Sequence, residues 1–259
     1  MDLMKSLKLA AGAAALFTMG AVVTAVALGS IPLSFAGGAL SKAQVEQVVR
    51  EYLLANPNIL VEMSNRLEGQ QTATAEKART DALFEVGAEA LFDPKVAYVV
   101  GPKDAKVMVA EFFDYKCPYC KASVPAINNL IKSNPNVRFA FIERPILSQD
   151  SVTAAQAAVA SRRQTDKYIP FHNALMAATG DLSKARVLDL AKSVGIDIVQ
   201  LEKDMADPAV SEAVAASNAL ANRLHFDGTP TFVINGQIVV GRLTDEELQN
   251  ITKQMAPKS

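Results

Sequence analysis

Two cysteines separated by two residues are the part of this sequence best suited to chemistry. They occur in Cys117-Pro118-Tyr119-Cys120 and are the only cysteines among the 259 residues. A C-x-x-C pair can be half of a metal site, a structural disulfide or a redox centre. A metal knuckle would need a second pair or nearby histidines, and the sequence has neither close by. A disulfide that closes so short a loop constrains the unfolded chain very little. The pattern therefore favours a redox centre.

The expected position of the pair at the start of a helix gives each cysteine a distinct chemistry. The apolar run Val107–Phe113 predicts a buried strand before the motif, and helical spacing follows it to about Ser133. Cys117 then lies at the positive end of the helix dipole, which favours the thiolate and lowers the pKa below the free value of about 8.5. Cys120, one turn further on, is placed to attack a mixed disulfide at Cys117 and release the bound partner. Pro118 suits the first helical position, where its missing N–H would be unpaired anyway.

A second motif lies near the C-terminus of the sequence. Gly228-Thr229-Pro230 leads into an aromatic and β-branched strand, and Asn235-Gly236 predicts the turn of a hairpin. A further strand is predicted at 137–142, and a last helix runs through Met255. Strand, C-x-x-C helix and strand form a βαβ unit, so the fold class is α/β. Glu111 is the one acidic residue inside the apolar strand before the cysteines.

Together the two motifs resemble those of the thioredoxin superfamily, in its DsbA-like exported branch. The resemblance covers about residues 95–256 and is carried by Glu-Phe-Phe-Asp-Tyr-Lys-Cys-Pro-Tyr-Cys at 111–120 and Gly-Thr-Pro-Thr-Phe-Val-Ile-Asn-Gly at 228–236. It implies a thioredoxin-like fold with a helical insertion, for which the Ala-rich stretch at 148–223 is suited. It also implies a thiol–disulfide oxidoreductase that acts on cysteine-containing proteins, has a membrane redox partner and needs no metal or organic cofactor.

The residue roles of that family can be transferred to this sequence position by position. The attacking cysteine falls on Cys117 and the resolving cysteine on Cys120. The cis-proline falls on Pro230, and Thr229 before it contributes backbone contacts to a bound substrate. The family's buried acid, which assists proton movement at the inner cysteine, falls on Glu111. A salt-bridged strand residue is the alternative for Glu111, because an unpaired buried carboxylate is costly.

The residues between the cysteines differ from those of the strongly oxidising members, which carry a histidine there. Tyr119 brings no positive charge to the Cys117 thiolate, so we expect a lower reduction potential. Thr229, where the oxidising members have Val, is similar to the isomerase and reductase members. Pro118 and Tyr119 are expected, with Thr229 and Pro230, to contact the substrate. A Cu(I)-binding exported thiol protein is the alternative function, because paired thiolates are soft ligands.

Residues 37–92 predict a helical arm in front of the redox domain. Apolar residues recur at helical spacing in two stripes, and Asn56-Pro57 separates them, since the residue before a proline is pushed away from helical geometry. The stripes are Val45, Val49 and Tyr52, and Ile59, Met63 and Leu67. In one interpretation the helices pack on the main domain; in the other, which we favour, they join copies of the chain into a homo-oligomer. The arm is similar to the oligomerisation segments of the isomerase members.

Residues 1–36 predict export from the cytoplasm. Behind Lys5 and Lys8, positions 9–41 carry no charged residue, and Ser34-Phe35-Ala36 is a small-x-small site where a signal peptide could be cut. The apolar run is also long enough to span a membrane. Cleaved signal and retained inner-membrane anchor therefore both remain open. Either way we expect the rest of the chain in the periplasm or another extracytoplasmic space.

Charge and length limit the remaining possibilities. The 26 basic and 27 acidic side chains give a net charge of −1, without the basic excess that nucleic-acid binding requires. We therefore expect no nucleic-acid partner. The redox domain is predicted in two parts, at 93–147 and 226–259, with the helical insertion at 148–225 between them.

Overall fold

The structure, a computed structural model, describes residues 40–255. The predicted signal or anchor at 1–36 lies outside the described residues. Within the described part, no helix is both long enough and apolar enough to cross a membrane. The chain divides into two units, of which the first ends at Ile59 and the second begins at Leu60.

The first unit contains helix α1, Lys42–Ala55. Ser41 begins this helix in a capping box: its side chain accepts from the N–H of Gln44, and the Gln44 side chain accepts from the N–H of Ser41. The helix ends at Asn56, directly before Pro57. Within the described chain none of its residues is buried, so its apolar side chains lack the cover that usually stabilises an amphipathic helix.

Helix α2 spans Asn58–Val86 and is followed by a short 3-10 helix, Ala88–Phe92. The polar, Ala-rich stretch at 69–81 continues this helix without interruption. Only the last turns of α2 reach the core, where Ala82 and Leu83 are buried. The 3-10 helix, which the periodicity did not predict, buries its last two residues in the same cluster.

Five strands form one sheet in the order β1-β3-β2-β4-β5. Their bounds are β1 Ala97–Val100, β2 Val107–Phe113, β3 Val137–Glu143, β4 Thr231–Ile234 and β5 Gln237–Val240. The central pair, β2 and β3, is parallel, and the other three pairs are antiparallel. The parallel pair follows from the crossover helix between these strands, and the hairpin at Asn235-Gly236 joins β4 to β5 as predicted.

The remaining helices supply that crossover, the insertion and the C-terminal cover. Their bounds are α3 Pro118–Ser133, α4 Gln149–Ser161, α5 Tyr168–Ala177, α6 Lys184–Ser193, α7 Ile198–Met205, α8 Pro208–Arg223 and α9 Asp245–Met255. Helices α4 to α8 lie between β3 and β4 in the chain, where the sequence predicts the helical insertion. The predicted thioredoxin-like α/β fold with a helical insertion and preceding N-terminal helices is confirmed.

Alternating residues of β2 enter two separate cores, one on each face of the sheet. Val109 and Phe113 belong to the larger core, which also holds the buried residues of α3 and of the insertion. Ala110 and Phe112 belong to the smaller core, together with Leu83 of α2. This is the period-2 alternation of a strand buried on both sides. Glu111 shares a face with Val109 and Phe113, and so points to the side of the sheet that carries the cysteine helix.

Candidate active site

The loop between β2 and α3 is organised by the buried carboxylate of Asp114. Its Oδ1 accepts from the N–H of Lys116 at 2.7 Å, and its Oδ2 accepts from the N–H groups of Ile146 and Leu147 at 2.8 and 3.0 Å. The backbone carbonyl of Asp114 accepts from the N–H of Cys117 at 3.0 Å. These bonds join the loop after β2 to the loop after β3, and fix where α3 begins.

Cys117 occupies the N-cap position of α3, where its sulfur faces the loop before β4. The side chain is 4% exposed, and the thiol donates to the carbonyl oxygen of Thr229 at 3.2 Å. The Thr229-Pro230 peptide bond is cis. The prediction of a cis-proline facing Cys117 is therefore confirmed. The two sequence motifs, separated by the whole insertion in the chain, meet at this one sulfur.

The surroundings of Cys117 favour its thiolate and lower its pKa to about 6. The largest cause is a hydrogen bond from the Cys120 thiol, partly opposed by burial, and the Thr229 side chain contributes a further bond. The N–H groups of Tyr119 and Cys120 at the start of α3 also lower the pKa of Cys117. Among the described residues, the Cys117 side chain makes no N-cap hydrogen bond. A cysteine ionised at neutral pH is a ready nucleophile toward a disulfide.

Cys120 has the opposite environment, one turn into the same helix. It is fully buried, and burial raises its pKa far above the usual value, followed by its bond to Cys117 and the charge of Glu111. Both cysteines are free thiols in this structure. The cysteine at the N-cap of α3 is thus activated as a thiolate, and its neighbour one turn further in is held protonated.

Glu111 lies on β2 with 1% of its surface exposed. Neither carboxylate oxygen has a hydrogen-bond partner among the described residues, so the salt-bridged alternative for this residue does not apply. Burial raises the pKa of Glu111 well above its usual value, and the charges of Cys117 and Glu143 raise it further. Burial without a hydrogen-bond partner disfavours the charged form, so Glu111 holds a proton more readily than an exposed carboxyl does.

A second buried carboxyl, which the sequence analysis did not identify, ends β3. Glu143 is 1% exposed, and its Oε1 accepts from the hydroxyls of Tyr168 at 3.0 Å and Tyr115 at 3.3 Å. The Tyr115 hydroxyl also lies 3.2 Å from Nδ1 of His172. The signal in the sequence was an acidic residue directly after the predicted strand at 137–142, whereas Glu111 lies inside its strand.

Two lysines that flank the motif hold the end of α5 and the loop after it. Lys121 donates to the carbonyls of Leu175, Met176 and Ala178 at 3.3, 3.0 and 2.6 Å. Lys116 donates to the carbonyl of Gly180 at 2.8 Å. A cation at the C-terminus of a helix satisfies carbonyls that have no partner inside the helix. Local sequence spacing does not predict these contacts, because the insertion is remote from the motif in the chain.

Tyr119 and Pro118, the residues between the cysteines, are both exposed at the start of α3, Tyr119 by 63%. Ile146 and Leu147, in the loop bonded to Asp114, are exposed apolar residues as well. Thr229 is partly exposed, whereas Pro230 is buried. Apolar side chains are therefore exposed both between the cysteines and in the loop bonded to Asp114.

Residues 40–255 contain no group of three or more His, Cys, Asp or Glu side chains placed to hold a metal ion. What the arrangement provides is a reactive dithiol at a helix start, opposite a cis-proline, in a sheet of thioredoxin type. Fold and site together define the class of thiol–disulfide oxidoreductases.

Comparison with known families gives the particular branch. Residues 108–252, which are 145 of the 259, match the DSBA-like thioredoxin domain. The chain belongs to this family, whose thiol–disulfide oxidoreductases use a cysteine redox centre without a cofactor. Residues 42–73 match a second description, the copper resistance protein ScsC N-terminal domain. This second match lies on α1 and the first part of α2 and does not include the cysteines.

Solved structures of similar proteins cover most of the described chain. A thioredoxin-like oxidoreductase from Silicibacter pomeroyi DSS-3 is 41% identical with a TM-score of 0.62, covering 67% of this chain and 99% of that one. BcfH from Salmonella enterica Typhimurium is 32% identical with a TM-score of 0.68, covering 83% of this chain and 95% of that one.

Curated relatives match part of this chain. Disulfide bond formation protein D of Bacillus subtilis is 27% identical over 172 residues, which are 62% of this chain and 78% of the relative. The Na(+)/H(+) antiporter NhaA 1 of Salinispora arenicola is 31% identical over 147 residues, 56% of this chain. The chain spans only 22% of that antiporter's length.

Proposed function

We propose that this protein exchanges thiols and disulfides on exported proteins through Cys117 and Cys120. The observation that carries the proposal is the contrast at the two sulfurs. Cys117 lies against the carbonyl of Thr229, next to the exposed Pro118 and Tyr119, with its pKa lowered to about 6, while Cys120 behind it is fully buried with its pKa raised. One cysteine is therefore suited to attack, and the other to resolve.

In the reductive direction the reaction takes two balanced steps. The Cys117 thiolate attacks one sulfur of a client disulfide, forms a mixed disulfide and expels the other client sulfur as a thiolate. Glu111 then takes the proton from the Cys120 thiol, and the Cys120 thiolate attacks the Cys117 sulfur. The Cys117–client bond breaks, the client leaves as a thiolate, and the pair is left as a disulfide. Oxidation of a client is the same sequence in reverse.

The client chain is proposed to lie in extended form along the loop that holds Thr229 and Pro230. Support comes from the position of the Thr229 carbonyl, 3.2 Å from the attacking sulfur. Tyr119 and Pro118, both exposed, would contact the client on the other side of that sulfur. Such a surface binds backbone and apolar groups, so it fits many clients rather than one sequence.

The direction of exchange is proposed to be isomerisation of wrong disulfides, carried out by a homo-oligomer. Two observations support association through the arm. Apolar residues of α1 are exposed, among them Val45, Val49 and Tyr52, by 44%, 49% and 60%. On α2, Met63 and Leu67 are exposed by 59% and 55%. Soluble proteins usually cover such stripes, and a second copy offers a matching one.

The proposed site of action is the periplasm or another extracytoplasmic space, with a membrane redox partner that resets the cysteine pair. The support is the apolar segment behind Lys5 and Lys8 in the sequence and the family resemblance. The mass of the purified protein distinguishes a cleaved segment from a retained inner-membrane anchor.

Replacement of each cysteine separates the proposed roles. Cys117→Ala should abolish exchange, because the attacking thiolate is gone. Cys120→Ala should trap mixed disulfides with client proteins, because no thiol remains to release them. Non-reducing gels of the two variants, with the double variant as control, provide the measurement. A Cys120→Ala protein that collects no adducts would contradict the assignment of attacking and resolving sulfur.

Cu(I) binding is the second candidate, supported by the paired free thiols and by the match of residues 42–73 to a domain described as part of a copper resistance protein. Cu(I) titration of the reduced protein against a strong chelator distinguishes the two functions. Stoichiometric binding together with failure to reduce insulin would favour the metal-binding function. Insulin reduction that needs both cysteines would favour exchange.

A further inference from the structure

Glu143 is a buried acidic group that the exchange reaction does not yet use. It is the last residue of β3, and its carboxylate is held by two tyrosine hydroxyls from different parts of the chain. Its backbone carbonyl accepts from the hydroxyl of Ser217 on α8 at 2.7 Å. Burial raises the pKa of Glu143 to about 8. The group can therefore gain or lose its charge near neutral pH without losing its place.

Other charged and titratable groups around Glu143 come from every element packed on it. Tyr168 and His172 belong to α5, and Tyr115 to the loop after β2. Burial keeps His172 neutral, with its pKa lowered to about 3. Arg162 at the end of α4 lowers the pKa of Glu143, whereas Asp114 raises it. Glu111 on β2 is the remaining carboxyl, and the charge of Glu143 raises its pKa.

The strand register puts the two glutamates on one face of the sheet. Glu111 pairs with Phe141, and Phe113 pairs with Glu143, in the parallel ladder between β2 and β3. Glu111 and Glu143 are thus diagonal neighbours, and the buried Phe113 and Phe141 occupy the other diagonal. With strands about 4.8 Å apart and a rise of about 3.3 Å per residue, the Cα atoms of diagonal neighbours lie about 8 Å apart. Like charges on two such buried side chains repel, so ionisation of one disfavours ionisation of the other.

We propose that Glu143 is a positioning residue for the redox centre: its charge state controls whether Glu111 holds a proton, and so how fast Cys120 resolves the mixed disulfide. The inference rests on the proposed exchange function and on the role of Glu111 as the proton acceptor for Cys120. A neutral Glu143 lets Glu111 lose its proton and act as a base. An ionised Glu143 keeps the proton on Glu111 and slows resolution. Glu143 itself contacts neither sulfur.

The test is the pH profile of one step, the release of a glutathione mixed disulfide from Cys117 by Cys120, measured by rapid mixing and acid quench. In the unmodified protein the rate should rise with pH as Glu111 ionises. Glu143→Gln keeps the size and an acceptor for the tyrosine hydroxyls but cannot ionise. Its profile should move to lower pH by about half a unit or more, which is about a threefold faster release on the rising limb.

A double variant makes the inference specific. In a Glu111→Gln background, Glu143→Gln should no longer move the profile, because the group through which it acts is absent. Ser217→Ala is the matched control, since it removes a buried hydrogen bond at the Glu143 backbone and leaves the carboxyl unchanged. It should lower stability without moving the profile. If Glu143→Gln does not fold, Tyr168→Phe removes a donor to the ionised carboxyl and should move the profile in the same direction.

Failure of the inference is distinguishable from failure of the proposed function. No release of glutathione in the unmodified protein would contradict exchange itself. Suppose that the rising limb disappears in Glu111→Gln but is identical in the unmodified protein and in Glu143→Gln. That result would overturn the inference and leave the exchange function intact. A shift of equal size in Ser217→Ala would also overturn it, because the effect would then be structural.

Discussion

Cys117 and Cys120 are three positions apart, yet they differ sharply because Cys117 lies at the N-cap of α3 and Cys120 lies one turn inside the helix. The N–H groups at the start of the helix favour the Cys117 thiolate, whereas Cys120 is fully buried. The same backbone therefore stabilises a thiolate at one position and a thiol at the other. This asymmetry determines which sulfur meets the client.

The ionisation of Cys117 is directly measurable. In the reduced protein, thiolate absorbance at about 240 nm should develop with a midpoint near pH 6, and Cys117→Ser should abolish that transition. Because the folded pKa lies below the unfolded value of about 8.5, ionisation stabilises the reduced protein as pH rises from about 6 toward 8.5, and this gain is lost as pH falls.

The reduction potential should follow the same ionisation. Thioredoxin, with a cysteine pKa of about 7, has a potential of about −270 mV, and DsbA, at about 3.5, has about −120 mV. We expect the Cys117–Cys120 pair to lie between these values and nearer to thioredoxin. Equilibration with glutathione is the measurement, and a midpoint of the thiolate transition above about pH 8 would contradict the basis of this expectation.

At the scale of elements, the side chain of Lys121 connects α3 to the helical insertion. Pro125 lies inside α3, so the carbonyl of Lys121 lacks its usual helical donor. The Lys121 side chain meanwhile reaches the carbonyls that end α5. One residue, directly after the resolving cysteine, thus connects the redox helix to the helical insertion.

Removal of that connection should weaken the fold. Lys121→Met keeps the apolar stem but leaves carbonyls at the end of α5 without a charged donor. We expect the free energy of unfolding to fall by about 1–3 kcal/mol, measured by urea denaturation. Lys184→Met is the control, because Lys184 forms an exposed pair with Glu202 and exposed pairs contribute little, about 0–1 kcal/mol. Equal stability of the Lys121 variant and the unmodified protein would contradict this account.

At the scale of the whole molecule, the helical arm has length and apolar surface that the redox chemistry does not need. Helix α1 buries none of its residues within the described chain, and α2 buries only Ala82 and Leu83 near its end. A homo-oligomer would cover the exposed stripes and hold several Cys117 sites around one client. Repeated attack on one client is what isomerisation requires.

Deletion of residues 37–73 tests this assembly and spares the buried end of α2. The mature protein should give an oligomeric mass in light scattering at micromolar concentration, and the deletion should give a monomer. The monomer should still reduce insulin but should lose most of its ability to rescue a scrambled disulfide substrate. Leu243→Ala, a core variant outside the arm, is the control for general destabilisation. A monomeric full-length protein, or unchanged isomerisation after the deletion, would contradict the proposal.

The sequence by itself determined the redox pair, the fold class and the elements beside the two motifs, because these depend on local patterns. The apolar run at Val107–Phe113, the helix that starts at Pro118 and the Asn235-Gly236 turn all lie where spacing and residue type predict them. The export segment at 1–36 lies outside the described residues and stays a prediction.

Tertiary structure alone decided what surrounds those elements. The sequence shows that Glu111 is acidic and in an apolar strand, but only packing shows that its oxygens are unpaired and that Glu143 shares its face of the sheet. Likewise, Lys121 meets the end of α5 only through the folded insertion. A residue's partners across the chain depend on strand register and helix packing, which local spacing does not encode. A pKa depends on those partners, and so the chemistry of the site is decided by the fold.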